Sequence, residues 1–302
     1  MGSGAEVGGG IVVPVMTEHS AAARPRRRDM EVFSYASILI DEFLDRLAIV
    51  PHKVFGSAAD THVNVIRSSG VMAMEIISNS DALYHDIEHS MMVTLVGQDI
   101  LHGKLLREGG VSPDDWTHYI ISLLCHDIGY CRGICPGDRG RTQAINDAGG
   151  TVEMPLGATD AFLTPHHVER GKLFVRRRFR DHPTINPDIV CANIEHTRFP
   201  VPDRDDNLQG ADYPQLVGAA DLIGQMADPD YLRKLPALYY EFEETGANAR
   251  LGNKTPDDLR EKYPDFFWGM VNKEVRAGLD YLRVTRSGRQ WLASLYSHIV
   301  SA

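Results

Sequence analysis

Cysteine is scarce in this chain: Cys125, Cys131, Cys135 and Cys191 are the four in 302 residues. That is too few and too dispersed for a disulfide framework, so a reducing, cytoplasmic setting is expected. Cys131-x3-Cys135 has no second pair at zinc-site spacing, and ordinary thiols are expected there. No uninterrupted apolar window approaches the roughly eighteen residues of a membrane span, so a soluble protein is expected. Positive charge is in deficit: 31 Lys and Arg face 41 Asp and Glu, a formal charge of -10. This argues against broad nucleic-acid binding and leaves room for a small anionic substrate held by local positive charge. Strand-type alternation is also scarce, whereas helical periodicity recurs from Met30 onward, so the chain reads as all-α.

The hydrophobic content, 43%, suffices for a sizeable core. Residues 1–28 are rich in Gly and Ala, end in Arg24-Pro25-Arg26-Arg27-Arg28 and lack a hydrophobic region with a cleavage site; they read as a disordered leader. Residues 29–302 are expected to form one domain, with chemistry-bearing residues concentrated between about 79 and 226.

Within it, Ser112-Pro113-Asp114-Asp115 supplies an N-cap, a proline for the first turn and acids beside the helix N-terminus. The helix that follows carries Trp116, Tyr119, Ile120, Leu123 and Leu124 at three-four spacing; continuing the stripe lands on Asp127, and Gly129 marks the expected end. A preceding helix, about 85–107, is expected to place His85, His89, Met92, Val96 and Ile100 on one face. Asn186-Pro187 predicts a helix carrying Ile189, Ala192, Asn193 and His196, and Tyr213-Pro214 one with Val217, Asp221 and Gly224 on one face. Gly218 and Gly224 permit close backbone approach. The loop Pro200–Gly210 is long and polar enough to border a site. Further helices are expected over about 231–245, 257–282 and 287–300.

Carboxylates and imidazoles rarely close a buried helix face without partners. His89, His126-Asp127, His166-His167, His196 and Asp221 together supply hard-oxygen and imidazole ligands for cations, and one carboxylate has two oxygens with which to bridge a pair.

The order His, His-Asp, His, His, Asp resembles the HD-domain metal-dependent phosphohydrolases. Tyr84-His85-Asp86-Ile87-Glu88-His89 is similar to the Tyr-His-Asn-x-x-His signature of cyclic-nucleotide phosphodiesterases, and Leu124-Cys125-His126-Asp127 to their Leu-Cys-His-Asp segment. Leu163-Thr164-Pro165-His166-His167 is similar to their Leu-Glu-x-His-His stretch, with Thr164 where the family carries a glutamate. The likeness spans roughly 79–224. Gly-Tyr-Pro, the mark of the cyclic-dinucleotide branch, is absent after His196, and Tyr130 stands where many bacterial members carry lysine.

The resemblance implies an HD-domain helical bundle with additional C-terminal helices. It implies two divalent ions drawn from Mn, Mg, Fe, Zn and Co, one held by His89, His126, Asp127 and Asp221, the other by Asp127, His167 and His196. His166 competes with His167. It further implies hydrolysis of a phosphodiester, of a cyclic nucleotide in the closest branch, by hydroxide bridging the ions, with His85 as general acid. A dinuclear-iron HD oxygenase, or a hydrolase of another nucleotide or phosphoester, shares the same ligand set. Arg132, Arg139 and Arg141 are candidate phosphate contacts, and Gln225, Phe266 and Phe267 candidate pocket residues. The expected partner is a small anionic phosphoester or nucleotide, neither a broad nucleic-acid surface nor a membrane, with homo-oligomerisation left open.

Overall fold

The computed structural model describes residues 1–2, 35–199 and 212–302; the remainder of the leader and the Pro200–Gly210 loop lie outside them. The chain divides into Met1–Tyr35 and a compact unit, Ala36–Ala302, and every candidate site residue belongs to the second.

Among its described residues that unit is all-α apart from one short antiparallel hairpin. The helices are α1 (Tyr35–Phe55), α2 (Asp60–Ile77), α3 (Ile87–Glu108), α4 (Pro113–Cys125), α5 (His167–Arg178), α6 (Pro187–Glu195), α7 (Tyr213–Met226), α8 (Tyr231–Glu244), α9 (Ala247–Leu251), α10 (Pro256–Glu261), α11 (Tyr263–Phe266), α12 (Asn272–Leu282) and α13 (Arg286–Ser301). The hairpin pairs β1 (Thr142–Ala144) with β2 (Thr151–Glu153), Gln143 opposite Val152. Among the described residues no helix is long and apolar enough to cross a membrane.

Two helices organise the core. α3 packs most extensively on α7 and also meets α4 and α12, while α4 lies between α2, α6 and α7. In α4 the residues Tyr119, Ile120, Ile121, Leu123 and Leu124 are all fully buried. Each such side chain contributes about 1.5–3 kcal/mol by leaving water. The end of α4 is therefore a rigid place from which to project polar groups. Ser112 starts the helix with the expected capping box, its hydroxyl accepting from the Asp115 N–H while the Asp115 carboxylate accepts from the Ser112 N–H at 2.9 Å. The α3–α7 contact is as close as Gly224 suggested: a Cβ there would stand 2.6 Å from the Cα of Val93.

Three sequence expectations are corrected. α3 begins after His85, because Asp86 is its N-cap, accepting from the His89 N–H at 2.9 Å; His85 lies in the preceding turn, off the helix stripe. On α6 the buried face is Val190, Asn193 and Ile194, whereas Ile189 is exposed. The single helix expected over 257–282 is broken into α10, α11, a π-turn at Phe267–Val271 and α12. Pro264 has no N–H to continue a helix from α10 and instead sits in the first turn of α11.

Candidate metal centre

α4 ends at Cys125, four residues before Gly129, and the next two side chains are buried, His126 at 0% and Asp127 at 5% exposure. His126 Nδ1 lies 2.7 Å from the Leu123 carbonyl. A carbonyl only accepts, so Nδ1 donates the bond and Nε2 is the nitrogen left to face inward. Asp127 adopts φ -101°, ψ 3° and turns the chain into a 3-10 segment, Ile128–Tyr130. The Asp86 cap fixes His89 in the first turn of α3, and α7 brings Asp221.

These four side chains converge. Asp127 Oδ2 lies 3.2 Å from His89 Nε2 and 3.1 Å from His126 Nε2. Asp221 Oδ1 lies 3.6 Å and 3.5 Å from the same nitrogens. Yet His89 Nε2, His126 Nε2 and Asp127 Oδ2 are buried with no hydrogen-bond partner among the described residues. Three orphaned polar atoms at one point are costly unless something else satisfies them. A cation does so. Bonds of roughly 2.0–2.2 Å in tetrahedral or octahedral arrangement separate neighbouring ligand atoms by about 2.8–3.6 Å, the spacing found here. The donor atoms of His89, His126 and Asp221 lie close enough to hold an ion, as do those of His85, His89 and Asp127. The residues fit a metal.

The second oxygen of Asp127 faces the other way. His167 Nε2 stands 4.0 Å from Asp127 Oδ1, and His167 Nδ1 donates to the Thr164 carbonyl at 2.6 Å, the same carbonyl-fixed tautomer as His126. His167 opens α5, and His166 occupies its N-cap position. His196, at the C-cap of α6, belongs to neither close donor cluster among the described residues; its Nδ1 is buried and unpartnered. Its carbonyl lies against Gly218, where a Cβ would come within 2.4 Å, so α7 approaches His196 closely. Gly171 faces the Cys125 and His126 carbonyls at ordinary contact distance. The tight glycine is Gly129, whose Cβ would collide with the His167 carbonyl at 1.8 Å.

Charge follows geometry. Burial alone would lower the His89 and His126 imidazoles, but Asp127 and Asp221 outweigh it, raising His89 to about 9 and His126 well above the usual imidazole range. Against burial, the two histidines hold Asp127 far below the carboxylate range and Asp221 at about 2. Burial dominates at His167 and lowers it.

Two residues at the site were not identified from sequence. Glu241 of α8, 2% exposed, places Oε2 2.5 Å from His85 Nδ1, while Oε1 accepts from the Tyr84 and His85 N–H groups at 2.6 and 3.2 Å. Burial lowers His85, but Glu241 reverses the effect and raises it. A signal existed: Glu241 falls on the stripe of Tyr231, Leu235 and Leu238, where a carboxylate does not belong without a partner. The other is Tyr130, whose ring stacks between His85 and His167 with centroids at 4.5 and 4.7 Å.

Other candidates are engaged elsewhere. Arg132 pairs with Asp81 and Asp160, and Arg141 with Glu153; Arg139 bridges to Thr142 through its backbone. Gln225 donates to the Tyr231 hydroxyl at 3.3 Å, Phe267 is fully buried and Phe266 lies against Phe199. Thr164 gives its hydroxyl to the Ala161 carbonyl and also meets the Tyr130 hydroxyl beside the centre. The four cysteines are free and buried, the thiols of Cys131 and Cys135 directed at the Ile76 and Arg170 carbonyls.

No curated protein and no solved structure matches the chain. A family model matches residues 33–302, and the chain belongs to the Npun_R2479-like family.

Proposed function

We propose that the chain is a metal-dependent phosphohydrolase that cleaves a small phosphodiester, with cyclic nucleotides as the first substrates to examine. The observation that carries the reading is the convergence of the orphaned His89 Nε2, His126 Nε2 and Asp127 Oδ2 with Asp221. His89, His126, Asp127 and Asp221 would hold one cation, and Asp127, His167 and His196 a second. Cations bound there neutralise phosphoryl charge and make water a competent nucleophile near neutral pH.

The chain's own residues handle the leaving group. His85 Nδ1 donates to Glu241, leaving Nε2 as the nitrogen from which a proton can be given. With the carboxylate beside it the doubly protonated ring is favoured, as a general acid requires. The proton passes from Nε2 to the departing ester oxygen, and the Nδ1–H stays on Glu241, which holds the ring in place. The chain's net charge of -10 supports a compact anion drawn to a local centre over a long polyanion.

The test is turnover of cyclic AMP, cyclic GMP, linear and cyclic dinucleotides, mononucleotides and bis-p-nitrophenyl phosphate, each with Mn, Mg, Fe, Zn and Co. Metal-dependent phosphoester cleavage, abolished by chelation and restored by the metal, is expected. Failure to cleave any of them by protein that has taken up metal overturns the hydrolase reading. Oxygen consumption by the iron-loaded protein in that case assigns the same ligands to an oxygenase.

A further inference from the structure

A ring nitrogen of His85 lies within 4.8 Å of the donor atoms of His89 and Asp127, close enough for His85 to compete as a ligand. Nδ1 is taken by Glu241, so both proton donation and ligation fall to Nε2. The two uses exclude each other, because a lone pair given to a cation leaves no proton to donate. Something in the fold must select between them.

Tyr130 is placed to do so. Its ring is 2% exposed and nearly parallel to both neighbours, inclined 13° to His85 and 26° to His167, at ordinary stacking separations. It cannot retreat. It closes the 3-10 turn that follows Asp127, and the preceding Gly129 is pressed against the backbone of α5. His167 backs its far face. Glu241 grips one edge of His85 and Tyr130 covers one face, so together they restrain the tilt of the imidazole.

We infer that Tyr130 is a positioning residue that holds His85 as a proton donor and keeps it from becoming a further metal ligand. This rests on the metal-centre reading above. The flat ring is the operative property; the hydroxyl, which meets the Thr164 side chain, does not itself cover His85.

Cobalt(II) titrated into the metal-free full-length protein tests the inference without reference to turnover, since its visible spectrum reports the number and kind of ligands. Tyr130→Ala and Tyr130→Leu, which remove the flat ring, should bind cobalt more tightly, on the order of tenfold, the low end of what groups around a ligand set are worth. Their spectra should change. Both effects should vanish when His85→Ala is added, and Tyr130→Phe should match wild type. His85→Ala in the otherwise native chain should leave the spectrum of bound cobalt unaltered, since no ligand is lost; this arm stands even if the Tyr130 variants do not fold. Weaker or unchanged binding by a folded Tyr130 variant overturns the inference, as does a gain that survives His85→Ala or a spectral shift in His85→Ala alone. If wild-type protein takes up no cobalt, the metal-centre reading itself falls, a result distinguishable from failure of the Tyr130 role.

Discussion

Glu241 and His85 stand 156 positions apart in the sequence and 2.5 Å apart in the fold, carboxylate to Nδ1, with both flanking N–H groups of Tyr84 and His85 held by the other oxygen. Both oxygens of this buried carboxylate are committed to the Tyr84–His85 segment. It also joins α8 to the turn that precedes α3.

Glu241→Gln keeps the size of the side chain and removes its charge, so His85 loses the group that favours its protonated form. Turnover on an ester with a poor leaving group should fall by roughly 10²-fold, the lower end for loss of general acid catalysis, and His85→Ala by about 10²–10⁴-fold. A nitrophenyl ester, whose leaving group needs no proton, should be spared by both variants. Metal content should be that of wild type. Steady-state kinetics on the two ester classes decides this, and equal losses on both classes would assign His85 to binding or structure.

His167 and His166 are neighbours in different settings. His167 points Nε2 toward Asp127 and its tautomer is fixed by the Thr164 carbonyl, whereas His166 is half-buried at the N-cap position of α5. His167→Ala should lower metal occupancy from two toward one per chain, and His166→Ala should keep both ions, read by elemental analysis of dialysed protein. Loss of an ion from His166→Ala alone would exchange the two roles.

Arg170 spends its whole guanidinium inside the fold. Fully buried, it donates to the Gly129, Cys131 and Ala144 carbonyls and to both oxygens of Asp138, tying α5 to the segment that carries Tyr130 and to the hairpin. Arg170→Met leaves Asp138 uncompensated and should destabilise the protein by about 3–5 kcal/mol, with Arg170→Met/Asp138→Asn recovering part of the loss. Burial raises the Asp138 carboxyl, but Arg170 and the Cys135 and Ala144 N–H groups outweigh it and hold it below the usual value. A depressed carboxyl stabilises the fold above its unfolded pKa, about 3.9, and the contribution disappears as pH falls through the folded value. Urea unfolding between pH 3 and 6 should therefore show an acid-side fall in stability that is shallower in Asp138→Asn.

The sequence made local features legible and long-range partnerships hard to see. The start of α4 was visible because Ser112, Pro113 and Asp115 act within one turn. Asp127 and Asp221 were visible because each carboxylate sits on or beside an apolar stripe, and their meeting with His89 and His126 is what those stripes require. The position of His85 was misread because the stripe runs on through it, whereas the Asp86 cap starts the helix two residues later. The break within 257–282 was missed because the helical period continues across Pro264. Tyr130 was legible only as an unusual residue at its position: no periodicity encodes a ring that intercalates between histidines 45 and 37 residues away.

Asp127 joins the two halves of the proposed centre, since one oxygen meets His89 and His126 and the other faces His167. The most direct measurement is the metal content of purified wild type and Asp127→Ala by elemental analysis, alongside far-ultraviolet circular dichroism to establish that the variant is folded. Wild type should carry up to two transition or alkaline-earth ions per chain, and folded Asp127→Ala should carry almost none and show no metal-dependent phosphoester turnover. Wild-type stoichiometry and full activity in Asp127→Ala would contradict the assignment of this cluster as a metal centre.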